Sequence, residues 1–127
     1  MKLALQIILG LFSLIPLAFA VMGLMNGAAW LSPHAPVAAA VDNQFRYYSG
    51  MYLVVTLLLW SIIPEIQKHF RTLAIICIAL FIGGVGRFIS WRSGGLGAEF
   101  QLTGMFIELG APLVLILAWL VARRAKG

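Results

Sequence analysis

Polar side chains are scarce along this chain and gather in short clusters that separate four apolar runs. The runs contain "LALQIILGLFSLIPLAFAVMGLM", "MYLVVTLLLWSII", "TLAIICIALFIGGVG" and "APLVLILAWLVA". None alternates apolar and polar residues with a period of two, so continuous apolar helices fit better than barrel strands. The pattern predicts spans at residues 2–27, 43–63, 70–91 and 99–121. Pro33 and Pro36 break helix in the first connection, "AAWLSPHAPVAAAVDN", where "PVAAAV" is positioned to form a helical lead into the second span. The second span ends at Pro64, "EIQKHFR" is a tight return, and "RSGGLGA" is the turn before the fourth span. The first run also has the outline of a signal peptide, with Ala18-Phe19-Ala20 in the form of a cleavage site. Its apolar stretch continues through "VMGLMNG" beyond that point, so we read an uncleaved span.

Composition strengthens this reading. The chain has 127 residues, of which 62% are hydrophobic and 10% charged, with a mean hydropathy of +1.00, outside the range of a soluble globular domain. Each span uses roughly 20 residues to cross about 30 Å of hydrocarbon, which leaves no room for a second domain. The expected fold is an all-α integral membrane protein with one domain over residues 1–127, forming a helical bundle of four transmembrane helices.

Charge fixes the orientation. A formal net charge of +5 and a pI near 10 raise the possibility of a nucleic-acid partner, but the distribution of charge removes it. Lys2, Lys68, Arg71, Arg123, Arg124 and Lys126 fall at one set of span ends with only Glu65, whereas Arg46, Arg87 and Arg92 cancel Asp42, Glu99 and Glu108 at the other. The basic set marks the cytoplasmic face, with both termini inside. Trp30 and Trp91 fall at outer ends and Trp60 and Trp119 near inner ends, as indole rings prefer. The first connection holds no Lys or Arg and faces outward. Cys77 is the lone cysteine, so one chain has neither a disulfide nor a cysteine metal site.

Lipid removes the usual hydrophobic drive for helices to associate, so small residues mark close contacts. Gly23 and Gly27 form a GxxxG, and Ala79 and Gly83 a small-xxx-small pair, within one chain or between copies. Small chains of this type complete their packing by self-association, and a homo-oligomer is expected.

The candidate chemistry lies in charges within the spans. By helical rise, Arg87 sits about 7 Å below its outer boundary and Glu108 about 14 Å deep. Such charges are costly in hydrocarbon, so both are expected to face the interior and to pair with each other. Helical spacing places Gln101, Glu108 and Pro112 on one stripe, Gly83, Arg87 and Ser90 on a second, and Asp42, Arg46 and Ser49 on a third. Tyr47, Tyr48 and Tyr52 add hydroxyls at similar depth. The predicted polar cluster is Arg46, Ser49, Tyr48, Tyr52, Arg87, Ser90, Gln101 and Glu108. Arg46 and Arg87 have a simpler alternative, in which their side chains snorkel to the outer interface, and the tyrosines can be interface anchors. Glu108 is too short to snorkel, so it is paired, protonated or facing a wet cavity. His34 and His69 fall in connections and read as solvated.

The chain contains no H-E-x-x-H, G-x-S-x-G or Walker loop, and its spans carry no histidine for haem or metal. We therefore expect no enzyme activity, cofactor or metal.

Three of these stretches, "NQFRYYSGMYL", "GGVGRFIS" and "ELGAP", together with "LQIILGLFSLIPLAFAVMGL", resemble the shared blocks of a family of small bacterial four-helix inner-membrane proteins known only as a domain of unknown function. By that resemblance Arg46, Ser49, Gly50, Tyr52, Gly86, Arg87 and Glu108 occupy the positions that define the family. The resemblance implies a fold and a location in the bacterial inner membrane, and it supplies no activity.

The leading expectation is a non-enzymatic envelope protein in which the arginines hold the phosphate or carboxylate of an anionic amphiphile or membrane lipid. Guanidinium suits such groups because it donates two parallel hydrogen bonds. Its role would be homeostasis of the envelope permeability barrier. Two alternatives stand beside it: a subunit of a small-solute or proton-coupled transporter using Glu108, and a structural partner of an envelope protein complex.

Overall fold

The computed structural model describes residues 1–95 and 99–126, and the part of the predicted "RSGGLGA" turn at residues 96–98 lies outside them. The described residues are helical almost throughout: α1 (Lys2–Asn26), α2 (Ala39–Ile62), α3 (Phe70–Gly94), α4 (Glu99–Leu109) and α5 (Ala111–Lys126). A 3-10 turn, Gly27–Trp30, extends α1, and another, Ile63–Lys68, links α2 to α3. Four stretches are long and apolar enough to cross a membrane: Lys2–Trp30, Ala39–Lys68, Phe70–Gly94 and Gln101–Lys126. Their outward surfaces are oily, with Leu11, Ile82 and Leu113 more than three-fifths exposed, the reverse of a protein that folds in water.

The chain divides into two compact units, Gln6–Pro64 and Met1–Leu5 with the described part of Glu65–Gly127. The first unit is an α1–α2 hairpin with a polar seam. Gln6, Ser13, Ala20 and Gly27 recur every seven residues on α1 and its extension, and Asp42, Ser49, Thr56 and Ile63 recur every seven on α2 and its extension. Seven-residue spacing keeps one stripe of a helix facing its partner. The Gln6 amide donates to the carbonyls of Ile63 (2.9 Å) and Pro64 (3.2 Å), satisfying oxygens that the end of α2 leaves free. At mid-length, buried Thr56 donates to the Ser13 carbonyl at 3.0 Å, and the Trp60 indole donates to the Ser13 hydroxyl at 2.8 Å. Pro16, which has no N–H, leaves the Phe12 carbonyl without its helical donor, and the Thr56 bond to Ser13 ties α2 to α1 one residue from that gap. Further along, Gly23 lies so close to Ser49 and Phe45 that a Cβ would collide with the Ser49 hydroxyl. Both glycines of the GxxxG thus serve contact within one chain.

In the second unit, α3 packs against both α4 and α5. Leu73, Ile76, Cys77, Met105, Ala118 and Val121 are buried. The expected fourth span, 99–121, is here two helices separated by Gly110. Pro112 is the cause: it cannot donate to the Glu108 carbonyl, and its ring crowds that oxygen. The Gly110 N–H instead bridges the carbonyls of Phe106 (3.0 Å) and Ile107 (3.1 Å), and Leu113 N–H reaches Gly110 at 3.0 Å. α3 also runs to Gly94, beyond the expected end at residue 91, which deepens Arg87 to about 10 Å from the helix terminus.

Candidate functional site

The predicted polar residues fall in both units. In the first, Arg46 completes a clamp around the junction of α1 and its 3-10 extension. Asp42 accepts from Arg46 Nε at 2.9 Å and from the Ala28 N–H at 2.9 Å, while Arg46 Nη1 donates to the Leu24 carbonyl at 2.6 Å. The clamp needs Gly27, whose φ of +67° is a left-handed conformation and whose missing Cβ leaves room for Asp42 and Arg46. Arg46 is thus paired with a carboxylate and a helix-terminal carbonyl. Ser49 is buried and donates to the Phe45 carbonyl at 2.8 Å. Tyr48 is exposed and its ring lies 5.8 Å from that of Tyr47, and Tyr52 is half-buried.

The second unit brings Arg87 and Glu108 together. Arg87 Nε donates to Glu108 Oε2 at 3.1 Å, with the glutamate side chain 13% exposed and the arginine 37%. Of the glycines around this pair, Gly84 is the one whose missing Cβ matters. A Cβ on Gly84 would stand 3.1 Å from the Glu108 Cβ and 3.2 Å from Leu109; one on Gly83 would stand 3.9 Å from Glu108 Oε2, and one on Gly104 3.8 Å from the Arg87 guanidinium carbon. Gly84 therefore lets α4 approach α3 closely enough for the carboxylate to reach the guanidinium, whereas Gly83 and Gly104 leave room for a Cβ at ordinary contact distance. Gly86 points to open space and has no part in this contact.

Beside the pair, the ends of α3 and α4 enclose a cavity of about 280 Å³ lined by Arg87, Ser90, Trp91, Gly94, Gln101 and Leu102. It contains three of the predicted residues: Arg87, Ser90 and Gln101. Because Glu108 takes the Nε–H, the two terminal nitrogens of Arg87 retain N–H groups for a second anion. The Trp91 ring, in edge contact with Phe88 at 5.9 Å, supplies an apolar wall. Among the described residues no three His, Cys, Asp or Glu side chains come close enough to hold a metal ion.

The sequence reading missed the seam residues Gln6, Ser13, Thr56 and Trp60. A signal was present: Gln6 and Ser13 are seven apart in an otherwise apolar run, and Asp42, Ser49 and Thr56 repeat that step. Gly84, which gives Glu108 its space, carried no comparable signal, since which side of α3 meets α4 is a matter of packing.

No curated protein and no solved structure matches the chain. Residues 4–120 match the family described as Domain of unknown function (DUF4345), and with nearly its whole length covered the chain belongs to that family.

Proposed function

We propose that this protein is a non-enzymatic component of a bacterial inner membrane that binds the anionic headgroup of an amphiphile or lipid in the outer leaflet and thereby supports the envelope permeability barrier. The observation that carries the reading is the cavity at the ends of α3 and α4, where Arg87, Ser90 and Gln101 meet beside Trp91. A volume of about 280 Å³ suits a headgroup, leaving the acyl chains in the bilayer. Glu108 holds Arg87 by one edge and keeps the arginine oriented before a ligand arrives. Self-association is part of the same proposal, since the exposed apolar faces can contact lipid or another copy.

The test is native mass spectrometry of protein released from mild detergent, wild type beside Arg87→Ala, reading bound mass and subunit number together. An anionic amphiphile retained by the wild type and absent from the variant supports the proposal. Equal retention by both removes it.

A second reading has one observation in its favour. The break at Gly110 and Pro112 lies directly beyond Glu108, and discontinuous helices next to a carboxylate are a feature of ion-coupled transport. Flux in proteoliposomes under a proton gradient, lost in Glu108→Gln, would favour transport over simple binding.

A further inference from the structure

The basic end of the second unit holds two cavities outside the site described above. The larger, about 820 Å³, has Phe70, Trp119 and Ala122 on its apolar side and Arg71, Arg123 and Lys126 on its charged side. The smaller, about 360 Å³, lies among Lys2, Arg124 and Val121. Gln67 lines both.

Three features set this end apart from an ordinary solvated charge cluster. First, its carboxylate is already taken: Glu65 binds Lys68 at 2.6 Å, and among the described residues Arg71, Arg123 and Lys126 have no acidic partner. Second, Arg123 is held in place, its guanidinium carbon 4.9 Å from the centre of the Trp119 ring, which fixes the cation at the cavity wall. Third, the Gln67 carbonyl oxygen Oε1 is buried and accepts no hydrogen bond from any described residue. A buried acceptor without a donor is costly, and the residue that carries it lines both cavities.

These features call for one ligand with three parts: a phosphate for the guanidinium and ammonium groups, an apolar tail for the Phe70 and Trp119 side, and a hydroxyl donor for Gln67. We infer that the basic end of the second unit binds an anionic phospholipid with a hydroxyl-bearing headgroup, its phosphate on Arg71, Arg123 and Lys126 and its headgroup hydroxyl donating to Gln67. Basic pockets between transmembrane helices on the cytoplasmic side are suited to such headgroups. This site is at the opposite end of α3 from the Arg87 cavity and is independent of it.

The experiment uses the full chain in a neutral detergent, titrated with short-chain phosphatidylglycerol, phosphatidylmethanol, phosphatidylcholine or inorganic phosphate while thermal unfolding is followed. The inference predicts that phosphatidylglycerol stabilises most, phosphatidylmethanol less because it has the same single charge without the headgroup hydroxyl, and phosphatidylcholine and inorganic phosphate least. Arg71→Gln with Arg123→Gln should weaken apparent phosphatidylglycerol affinity at least tenfold. Gln67→Leu should weaken phosphatidylglycerol severalfold and leave phosphatidylmethanol unchanged, which separates the hydroxyl contact from general charge. Equal stabilisation by phosphatidylcholine, or full stabilisation by inorganic phosphate alone, would overturn the lipid site without any variant. So would an undiminished phosphatidylglycerol effect in the double variant.

Discussion

Arg46 and Arg87 are both arginines in apolar helices with an acidic partner, yet the two units use them differently. Arg46 pairs with Asp42 one turn earlier on its own helix and gives a second hydrogen bond to the Leu24 carbonyl, so its donors close the α1 terminus. Arg87 pairs with Glu108 on another helix through Nε alone and lines a cavity. Under the proposed function the first arrangement is architectural. The second, with the terminal donors of Arg87 beside an open volume, is the one proposed to take a ligand.

The sharpest way to break this contrast is to remove each arginine in turn. Arg87→Ala should lower retention of the anionic ligand about 100-fold, corresponding to roughly 3 kcal/mol for truncating one side of a partly buried charge contact. Arg46→Ala should lower the unfolding temperature and leave retention unchanged. Ligand binding by native mass spectrometry and thermal unfolding, measured on both variants, would refute the distinction if the two behaved alike.

Gly84→Leu tests the packing behind the Arg87 pair. The added side chain would press on Glu108 and Leu109, costing about 3 kcal/mol by overpacking and separating the pair, so retention and stability should fall together. Gly27→Ala is the corresponding test in the other unit. It forces a left-handed conformation on a residue with a Cβ, at about 1–2 kcal/mol, and crowds Asp42 and Arg46; unfolding should shift while ligand retention holds.

Smaller effects come from the polar seam. Thr56→Val removes the donor to the Ser13 carbonyl, and hydrogen bonds between membrane helices average about 0.6 kcal/mol, so a modest loss on unfolding in denaturing detergent is expected. Gly86→Ala should be nearly silent, below about 0.5 kcal/mol, because its Cβ would enter open space. A large effect there would show that the Gly86 face meets a partner.

The sequence by itself determined the number of spans and their approximate limits, because about 20 consecutive apolar residues have few other uses and Pro, Gly and charge clusters punctuate them clearly. It also indicated which charges lie too deep to be solvated, since depth follows from helical rise, and so it pointed to Arg87 and Glu108 as a pair. Tertiary structure alone decided how each arginine is spent. Asp42 is within one turn of Arg46 in any helix, but that Leu24 and Ala28 complete the clamp depends on how α1 and α2 pack. The packing also turned Gly84 from one member of a glycine-rich pattern into the close α3–α4 approach behind the Arg87–Glu108 pair, and it placed the break of the fourth span at Gly110. Hydrophobic pattern reports which residues avoid water; in a chain where nearly every residue does, it says little about which side of a helix meets which neighbour, and only contacts supply that.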